Sequence, residues 1–449
     1  MSHSVPSPPA VARSQQTTAA PVPPRVRRAQ IIALSLLVLG GIINYVDRGT
    51  LAVANSIIAA ELGLSLGQMG LLLSAFAWSY AIAQLPAGGL VDRIGPRRFL
   101  AAGLIVWSIA QAAGGFVHSF AQFIAARVCL GIGEAPQFPS AARVVSNWYP
   151  VSKRGAPTGV FNSASPLGAA IAPLILSQLI IFLDWRWMFI LTGAAGLFAA
   201  AIWLLLYRDP SDLNLTRDEI RYLTEEEETK VVAKVTLADW IGLFSYRTTW
   251  GMIIGFFGSV YLNWVYLTWL PAYLITERHM SLARTGVAAS VPFFCGFLGC
   301  LIAGWLSDQV VKRTAGSPVT GRRIPVVVAM LGMAAFTVPA ALADSNTIAL
   351  ACISVVIFLA NAASACSWAL ATAAAPANRI ASLGSLQNFG GFIGGALAPI
   401  VTGFIAQSFS FVPALLTGAA IAFAGALSYL FLVTRPIPEH AEPKTGVST

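Results

Sequence analysis

Ionisable side chains inside long apolar runs are the residues of this sequence best suited to chemistry. The first such run covers residues 31–60 and contains Asp47 and Arg48 as neighbours. A second pair, Arg127 and Glu134, lies in a later apolar run. Each charge at bilayer depth costs at least about 2.5–3.5 kcal/mol, so such groups usually face a bundle interior and often serve a pathway. We interpret the two pairs as parts of one site.

The neighbours Asp47 and Arg48 need separate roles because they point roughly 100° apart around a helix. A carboxyl group in a dry cavity favours its protonated form, whereas a nearby arginine favours the ionised form. Asp47 could therefore change its proton affinity as the cavity alternates between wet and dry, which is the chemistry of a proton-coupled carrier. Arg48 presents a permanently charged planar fork, which suits a carboxylate held by two parallel hydrogen bonds.

Arg127 and Glu134 project from nearly the same helix face because they stand about two turns, or about 10.5 Å of rise, apart. This separation is long for a direct contact, and an ion pair that stabilises the bundle is the alternative interpretation. Glu134 could instead meet a partner on the first helix.

Apolar segments that could hold these residues follow one another along most of the chain. The 449 residues are 56% apolar and 10% charged, with a mean hydropathy of +0.71. Nothing in them alternates with the short period of a barrel strand. We predict an all-α integral membrane protein with about twelve transmembrane helices of about 20 residues each, near residues 31–58, 68–90, 98–117, 119–143, 157–182, 187–207, 247–271, 285–307, 324–343, 347–373, 380–407 and 411–433.

The distribution of the net charge of +9 predicts how these helices are oriented. Lys and Arg cluster in the N-terminal tail, after helices 2, 4 and 8 and between helices 6 and 7, whereas the opposite loops hold only Arg186, Arg278 and Arg284. Under the positive-inside rule, both termini are then cytoplasmic. The basic character indicates topology and no nucleic-acid partner. Residues 1–29 and 435–449 are predicted to be cytoplasmic tails, the first of them disordered because it is rich in Pro, Ser and Ala.

A long polar stretch divides the predicted helices into two groups of six. Residues 208–246 form the predicted cytoplasmic linker, between an N-terminal bundle at 30–207 and a C-terminal bundle at 247–434. Within the linker, Thr216 and Glu219 have capping-box spacing, so a short helix could begin there.

The two halves also repeat each other in part. Residues 88–93 recur in altered form at 304–309, and Asn162 has a counterpart in Asn388. Duplicated six-helix halves suit a transporter that rocks about a site at the membrane midplane. The glycine-rich run at 390–395 lies inside an apolar helix without a preceding strand, so close helix packing explains it better than nucleotide binding.

Three motifs make the chain similar to a known family. They are Gly88-x-x-x-Asp92-Arg93-x-Gly95-x-Arg97-Arg98, Asn44-Tyr45-Val46-Asp47-Arg48 and Glu134-Ala135-Pro136-Gln137-Phe138-Pro139. With them, residues 30–435 resemble the major facilitator superfamily and, within it, the anion:cation symporters for sugar acids such as galactonate, glucarate and hexuronates. The resemblance implies two pseudo-symmetric six-helix bundles in a bacterial inner membrane.

The resemblance also implies roles for single residues. Positions matching Asp47 and Glu134 bind the coupling proton, and Arg127 is their charge partner. The second half offers neutral donors and Trp faces at membrane depth, which could read the hydroxyl groups and C–H surface of a sugar acid; packing is the alternative explanation for each of them. The predicted substrate contacts are Tyr45, Arg48, Tyr80, Asn162, Asn263, Trp368, Gln387 and Asn388.

A third set of charges lies at the predicted cytoplasmic helix ends, too shallow to bind a substrate at mid-membrane. In the family that the chain resembles, an acid matching Asp92 helps to close the cytoplasmic side. We predict a gate formed by Asp92, Arg93 and Arg143, and a weaker second gate at Asp308. The alternative is that these charges only fix topology.

These observations predict a proton-driven symporter for a hydroxylated organic anion, working by alternating access as a monomer in the lipid bilayer. No catalytic set, metal site or cofactor is predicted, apart from the proton as coupling ion. Aromatic or dicarboxylic acids, such as a phthalate or tartrate, are alternative substrates. A phosphate-ester antiporter is a further alternative, although a binding arginine from each half would be expected there. A non-transporting membrane sensor is the alternative from another class.

Overall fold

Helices make up the regular structure of the described part of this chain. The computed structural model describes residues 22–150, 153–224, 237–313, 318–376 and 379–438. Within these ranges short 3₁₀ turns accompany the following helices: α1 (Pro24–Val53), α2 (Asn55–Leu62), α3 (Leu66–Ile94), α4 (Pro96–Ala113), α5 (Phe120–Glu134), α6 (Gln137–Trp148), α7 (Gly155–Phe182), α8 (Trp185–Leu206), α9 (Arg217–Thr224), α10 (Leu237–Gly242), α11 (Arg247–Thr276), α12 (Leu282–Arg313), α13 (Pro318–Leu342), α14 (Asn346–Ala374), α15 (Ile380–Ser408) and α16 (Phe411–Leu432).

The predicted set of membrane-spanning helices is present, with one of them broken. Within the described ranges, 11 helices are long and apolar enough to cross a membrane. The remaining span consists of α5 and α6, of 15 and 12 residues. The prediction of one continuous helix over 119–143 was wrong, because Pro136 lacks a backbone N–H and its ring clashes with the carbonyl one turn earlier. The break places Glu134 at the end of α5.

The first span begins earlier and ends differently than predicted. Helix α1 starts at Pro24, which suits a first helical position, and Val26 is already fully buried. The predicted disordered tail over 1–29 is therefore corrected for its last residues, whereas residues 1–21 lie outside the described part. At its other end α1 breaks at Ala54, and the short helix α2 follows.

The predicted linker helix is confirmed. The Glu219 carboxylate accepts from the Thr216 backbone N–H at 2.8 Å, and the Thr216 hydroxyl accepts from the Glu219 N–H at 3.3 Å. Helix α9 begins at the next residue, as a capping box predicts. Tyr222 of α9 is buried under the Lys153 ammonium, 4.9 Å from the ring centre. The acidic run at 225–228 and the tail from 439 onward lie outside the described residues.

Within each half, long helices pack pairwise. In the first half α1 lies on α7, α4 on α8 and α3 on α5, while in the second half α11 contacts α15 and α16, and α14 contacts α12 and α13. The prediction that the glycine-rich run allows close packing is confirmed, because a Cβ at Gly394 would lie 2.5 Å from the Phe257 carbonyl oxygen of α11. Gly95, a glycine of the loop motif that begins at Gly88, forms the tight turn between α3 and α4. Its φ of 84° is a conformation that glycine adopts without steric strain.

Helices α3 and α7 of the first half meet α15 and α12 of the second half. We call the end of the bundle where α3 stops and α9 lies the linker end, and the opposite end the far end. At the far end the Gly67 N–H donates to Gln407 Oε1 at 2.9 Å, and Ser74 Oγ donates to the Ala396 carbonyl. Toward the linker end Leu85 of α3 is 82% exposed, and a Cβ at Gly88 of α3 or at Gly159 of α7 would meet no other atom of the described residues within 4 Å. The halves therefore meet at the far end and separate toward the linker end.

Candidate functional site

An ion pair between α1 and α5 lies at the centre of the candidate site. Arg48 Nε donates to Glu134 Oε2 at 2.9 Å, and both side chains are buried. The sequence left two arrangements open, an ion pair between Glu134 and Arg127 and a contact between Glu134 and the first helix. The structure has the second arrangement. The break at Pro136 ends α5 at Glu134, opposite Arg48. A pair buried this deeply must keep most of its hydrogen bonds to offset desolvation, yet Arg48 Nη2 and Glu134 Oε1 have no hydrogen-bond partner among the described residues.

Three aromatic rings surround the Arg48 guanidinium. Its Cζ lies 4.7 Å from the ring centre of Tyr45, 4.9 Å from that of Phe76 and 4.8 Å from that of Tyr80. Such contacts stabilise a desolvated cation by roughly 0.5–2 kcal/mol each. Tyr80 also contacts Phe392 of α15 across the interface, with ring centres 5.7 Å apart. Arg48 thus lies where the two halves meet, beside the predicted contacts Tyr45 and Tyr80.

Arg127 lies behind this pair on α5, where its Cζ is 5.1 Å from the Phe76 ring centre. The side chain is buried, and its charge interacts with Glu134, Arg48 and Asp47. Its Nε and Nη1 have no hydrogen-bond partner within the described part of the chain. Arg127 therefore lies within electrostatic reach of both acids. Phe76, which lies under both guanidinium groups, was missed by sequence reasoning because a Phe in an apolar run carries no signal.

Asp47 points into the interior of the first half. It is fully buried, and its neighbours are Glu134, Arg127, the Thr192 hydroxyl and the Trp107 indole. Neither of its carboxylate oxygens forms a hydrogen bond of good geometry to a described residue. Sequence reasoning missed Trp107 and Thr192. Thr192 could have been noticed as a polar residue inside an apolar run, whereas nothing in the sequence distinguishes Trp107 from other aromatic residues of the membrane helices.

The predicted substrate contacts of the second half are spread over three helices. Asn263 on α11 and Asn388 on α15 are partly exposed. Trp368 on α14 is half-exposed and meets Phe256 of α11 edge to face at 6.2 Å. Gln387, by contrast, is fully buried inside the second half.

Gln387 accepts a hydrogen bond from Tyr429 Oη at 3.4 Å. In this conformation Gln387 therefore faces α16 inside the second half. Asn162 on α7 is exposed.

The predicted gate residues lie at the linker end, away from the central pair. Asp92 and Arg143 face each other with Oδ1 and Nη1 3.6 Å apart, and both side chains are about half-exposed or more, at 63% and 48%. Both belong to the first half, so this contact does not bridge the halves. Arg93 is exposed at the end of α3, and the side chain of Asp308 lies outside the described part.

Comparison with known proteins identifies the family. The profile of the Major Facilitator Superfamily matches residues 37–399. The chain is 42% identical over 426 residues to the probable L-galactonate transporter of Escherichia coli strain K12, covering 93% of this chain and 94% of that protein. It is 32% identical over 416 residues to the D-galactonate transporter of Escherichia coli O6:H1, covering 90% and 96%.

A solved structure shares the fold. The crystal structure of a bacterial homologue of the human lysosomal transporter Spinster, inward-facing and unoccupied, superposes with a TM-score of 0.75 at 19% identity, covering 90% of this chain and 97% of that one. At this identity the likeness shows the fold alone. Together with the profile and the two relatives, it supports one assignment. The chain belongs to the Major Facilitator Superfamily and is a multi-pass membrane transporter, not an enzyme.

Proposed function

We propose that this protein imports a sugar acid, of the galactonate, glucarate or hexuronate type, together with protons across the bacterial inner membrane. The observation that carries the proposal is the buried Arg48–Glu134 pair at the interface of the halves, with Asp47 and Arg127 behind it. The names of the two relatives favour a sugar acid as substrate.

Charge balance gives the coupling a physical origin. When all are ionised, the charges of Asp47 and Glu134 cancel those of Arg48 and Arg127, so the site attracts no further anion. A proton on Glu134 weakens its hold on the Arg48 guanidinium, whose fork can then bind a substrate carboxylate by two charge-assisted hydrogen bonds. Substrate and proton enter together, because either alone leaves an uncompensated charge in a dry site.

The second half supports recognition of a hydroxylated anion. Asn263 and Asn388 offer amide donors and acceptors, and Trp368 offers a partly exposed ring face. Amide groups match sugar hydroxyls, and the ring matches the C–H face of the same molecule. A second cation, which a phosphate-ester dianion would favour, is absent from the described membrane-depth side chains of this half.

Uptake into proteoliposomes tests the proposal. We expect labelled substrate to accumulate when the outside is more acidic than the inside, and the accumulation to collapse with an uncoupler. A thermal-shift panel of galactonate, glucarate, hexuronates, tartrate and aromatic acids would rank ligands, since a ligand that binds only the folded state raises Tm. Accumulation unaffected by the uncoupler would contradict proton coupling, and a ligand response without uptake would indicate a sensor.

A further inference from the structure

Inside the first half, Asp47 lies in a polar pocket that α4 and α8 help to line, next to Glu134 and Arg127. We propose that the Trp107 indole N–H and the Thr192 hydroxyl stabilise the ionised form of Asp47 and so help to set the pH at which the carrier takes up its proton. The inference rests on the proposed proton coupling. It assigns positioning residues to α4 and α8, which contribute no residue to the predicted site.

The walls of the pocket are joined by hydrogen bonds across three helices. Gln111 Nε2 of α4 donates to Thr50 Oγ1 of α1 at 3.1 Å and to Thr192 Oγ1 of α8 at 3.0 Å. Thr50 Oγ1 donates to the Asp47 carbonyl at 2.7 Å. Gln111 and Thr50 are 1% and 0% exposed, so water does not compete for these bonds. The backbone of Asp47 is therefore fixed relative to α4 and α8.

Trp107 is the group whose chemistry is most specific. An indole N–H can donate but cannot accept, and this side chain is fully buried. Its Nε1 has no hydrogen-bond partner among the described residues, and the same holds for both Asp47 carboxylate oxygens, although the two groups interact. A buried donor without an acceptor destabilises the folded state. The unpaired donor and the unpaired acceptors are thus matched, and the ionised carboxylate accepts from the indole more strongly than the neutral carboxyl group does.

The Thr192 hydroxyl can respond to the same change. It lies 3.0 Å from the Met188 carbonyl and 3.2 Å from the Phe189 carbonyl, and it accepts from Gln111. Its single proton can be donated to one of these carbonyls when Asp47 is protonated, or to the carboxylate when Asp47 is ionised. Rotation about one bond is sufficient for this exchange.

Other charges facing Asp47 come from α5. Arg127 favours its ionised form, whereas Glu134 opposes it. Helices α4 and α8 contribute neutral donors only among the described neighbours of Asp47. Because Glu134 and Arg127 also belong to the proposed site, their substitution would change binding and protonation together. Trp107 and Thr192 can be changed without removing a charge.

The test compares pH profiles of uptake in proteoliposomes. Trp107→Phe keeps an aromatic ring and removes the N–H, and Thr192→Val keeps the shape and removes the hydroxyl. Each should shift the pH of half-maximal uptake upward, by about one pH unit for Trp107→Phe, a roughly tenfold change in proton affinity. Trp148→Phe is the matched control, because Trp148 is also buried with an Nε1 lacking a hydrogen bond of good geometry, and it should keep the wild-type midpoint.

The Asp47→Asn background separates this role from a structural one. There the Trp107→Phe substitution should have no further effect on the pH profile of counterflow exchange, whereas a structural role would lower exchange in both backgrounds. An unchanged pH midpoint in both variants, with Asp47→Asn still abolishing accumulation, would overturn the inference and leave the proposed function intact. Proton-driven accumulation that survives Asp47→Asn would overturn the inference together with the proton role of Asp47.

Discussion

Arg48 combines an ion pair with three aromatic contacts in one buried guanidinium group. The pair to Glu134 uses Nε, and the rings of Tyr45, Phe76 and Tyr80 lie within 5 Å of Cζ. Only a planar, delocalised cation can stack on rings while it presents further N–H donors at its edge. Arginine is therefore matched to this position in a way that lysine is not.

Arg48→Lys should weaken substrate binding at least tenfold, about 1.4 kcal/mol, because a point charge replaces the bidentate fork. The dissociation constant of the purified protein, from calorimetry or ligand-dependent Tm, measures the effect. Arg97→Lys is the control, since Arg97 binds the Leu204 carbonyl and Asp212 far from the central pair. Equal affinities in wild type and Arg48→Lys would remove Arg48 from the binding site.

Glu134→Gln should abolish proton-driven accumulation while counterflow exchange is partly retained. The amide keeps the size of the carboxyl group but cannot carry the proton, and it leaves Arg48 free to bind substrate. Uptake under a pH gradient and exchange without one, both measured in proteoliposomes, separate the two activities. If binding and exchange disappear as well, Glu134 serves the structure of the bundle instead.

Single residues of the site were predictable from the sequence to different degrees. Charges stand out in an apolar run, so Asp47, Arg48, Arg127 and Glu134 were identified, and the structure brings them together. Trp107 and Phe76 were not identified, because aromatic residues are common in membrane helices and their neighbours depend on how the helices pack. Charge at depth is rare and costly, whereas an apolar ring is not.

At the scale of the elements, the discontinuous fourth span is the main departure from the prediction. Apolar periodicity continues through residues 119–143, and proline is tolerated in many membrane helices because neighbouring helices satisfy the freed backbone groups. Here Gly133 and Gly103 allow α5 to approach α4 so closely that a Cβ at Gly103 would lie 2.8 Å from the Gly133 carbonyl oxygen. A contact between two helices cannot be predicted from the sequence of either helix alone.

Helix α2 is held to the far end of the first half by Glu61. Its carboxylate accepts from Trp185 Nε1 at 2.6 Å and from Arg186 Nη2 at 2.7 Å, both at the start of α8. Helix α2 in turn contacts α11 of the other half. The hydrogen bond from Trp185, followed by that from Arg186, lowers the pKa of Glu61 below its usual value of 4.5.

A lowered pKa makes the contribution of Glu61 to stability dependent on pH. The contribution is fully present above about pH 4.5, the usual pKa of a glutamate, and is lost as pH falls through the lower folded value. Glu61→Gln should therefore lower Tm at pH 7, and the difference from wild type should shrink below about pH 4.5. Because the side chain is 45% exposed, we expect an effect on the order of 0.5 kcal/mol.

Thermal unfolding in detergent across pH 3–8 would measure this difference. Asp218→Asn is the control, since it makes the same chemical change at an exposed linker carboxylate. A difference between wild type and Glu61→Gln that persists unchanged at the acid end would contradict the role of the Glu61 charge.

At the scale of the whole molecule, the two halves meet at the far end and separate toward the linker end. Ser177 of α7 and Gly286 of α12 form one of the closest contacts between them, since a Cβ at Gly286 would lie 2.8 Å from the Ser177 Cβ. Alternating access requires this contact to open when the site faces the other side. The contact should therefore be a point at which the cycle can be stopped.

Cysteines at both positions test this directly. A disulfide needs Cβ atoms about 3.8 Å apart, so a shift of about 1 Å allows Ser177→Cys and Gly286→Cys to cross-link. Oxidation should stop uptake, and reduction should restore it.

Gly41→Cys with Ala164→Cys is the matched control: these residues are equally close, at 2.8 Å, but both belong to the first half. A link within one half moves with it, so the control should keep transporting. Uptake that persists through a complete Ser177–Gly286 cross-link would mean that the halves do not part at the far end.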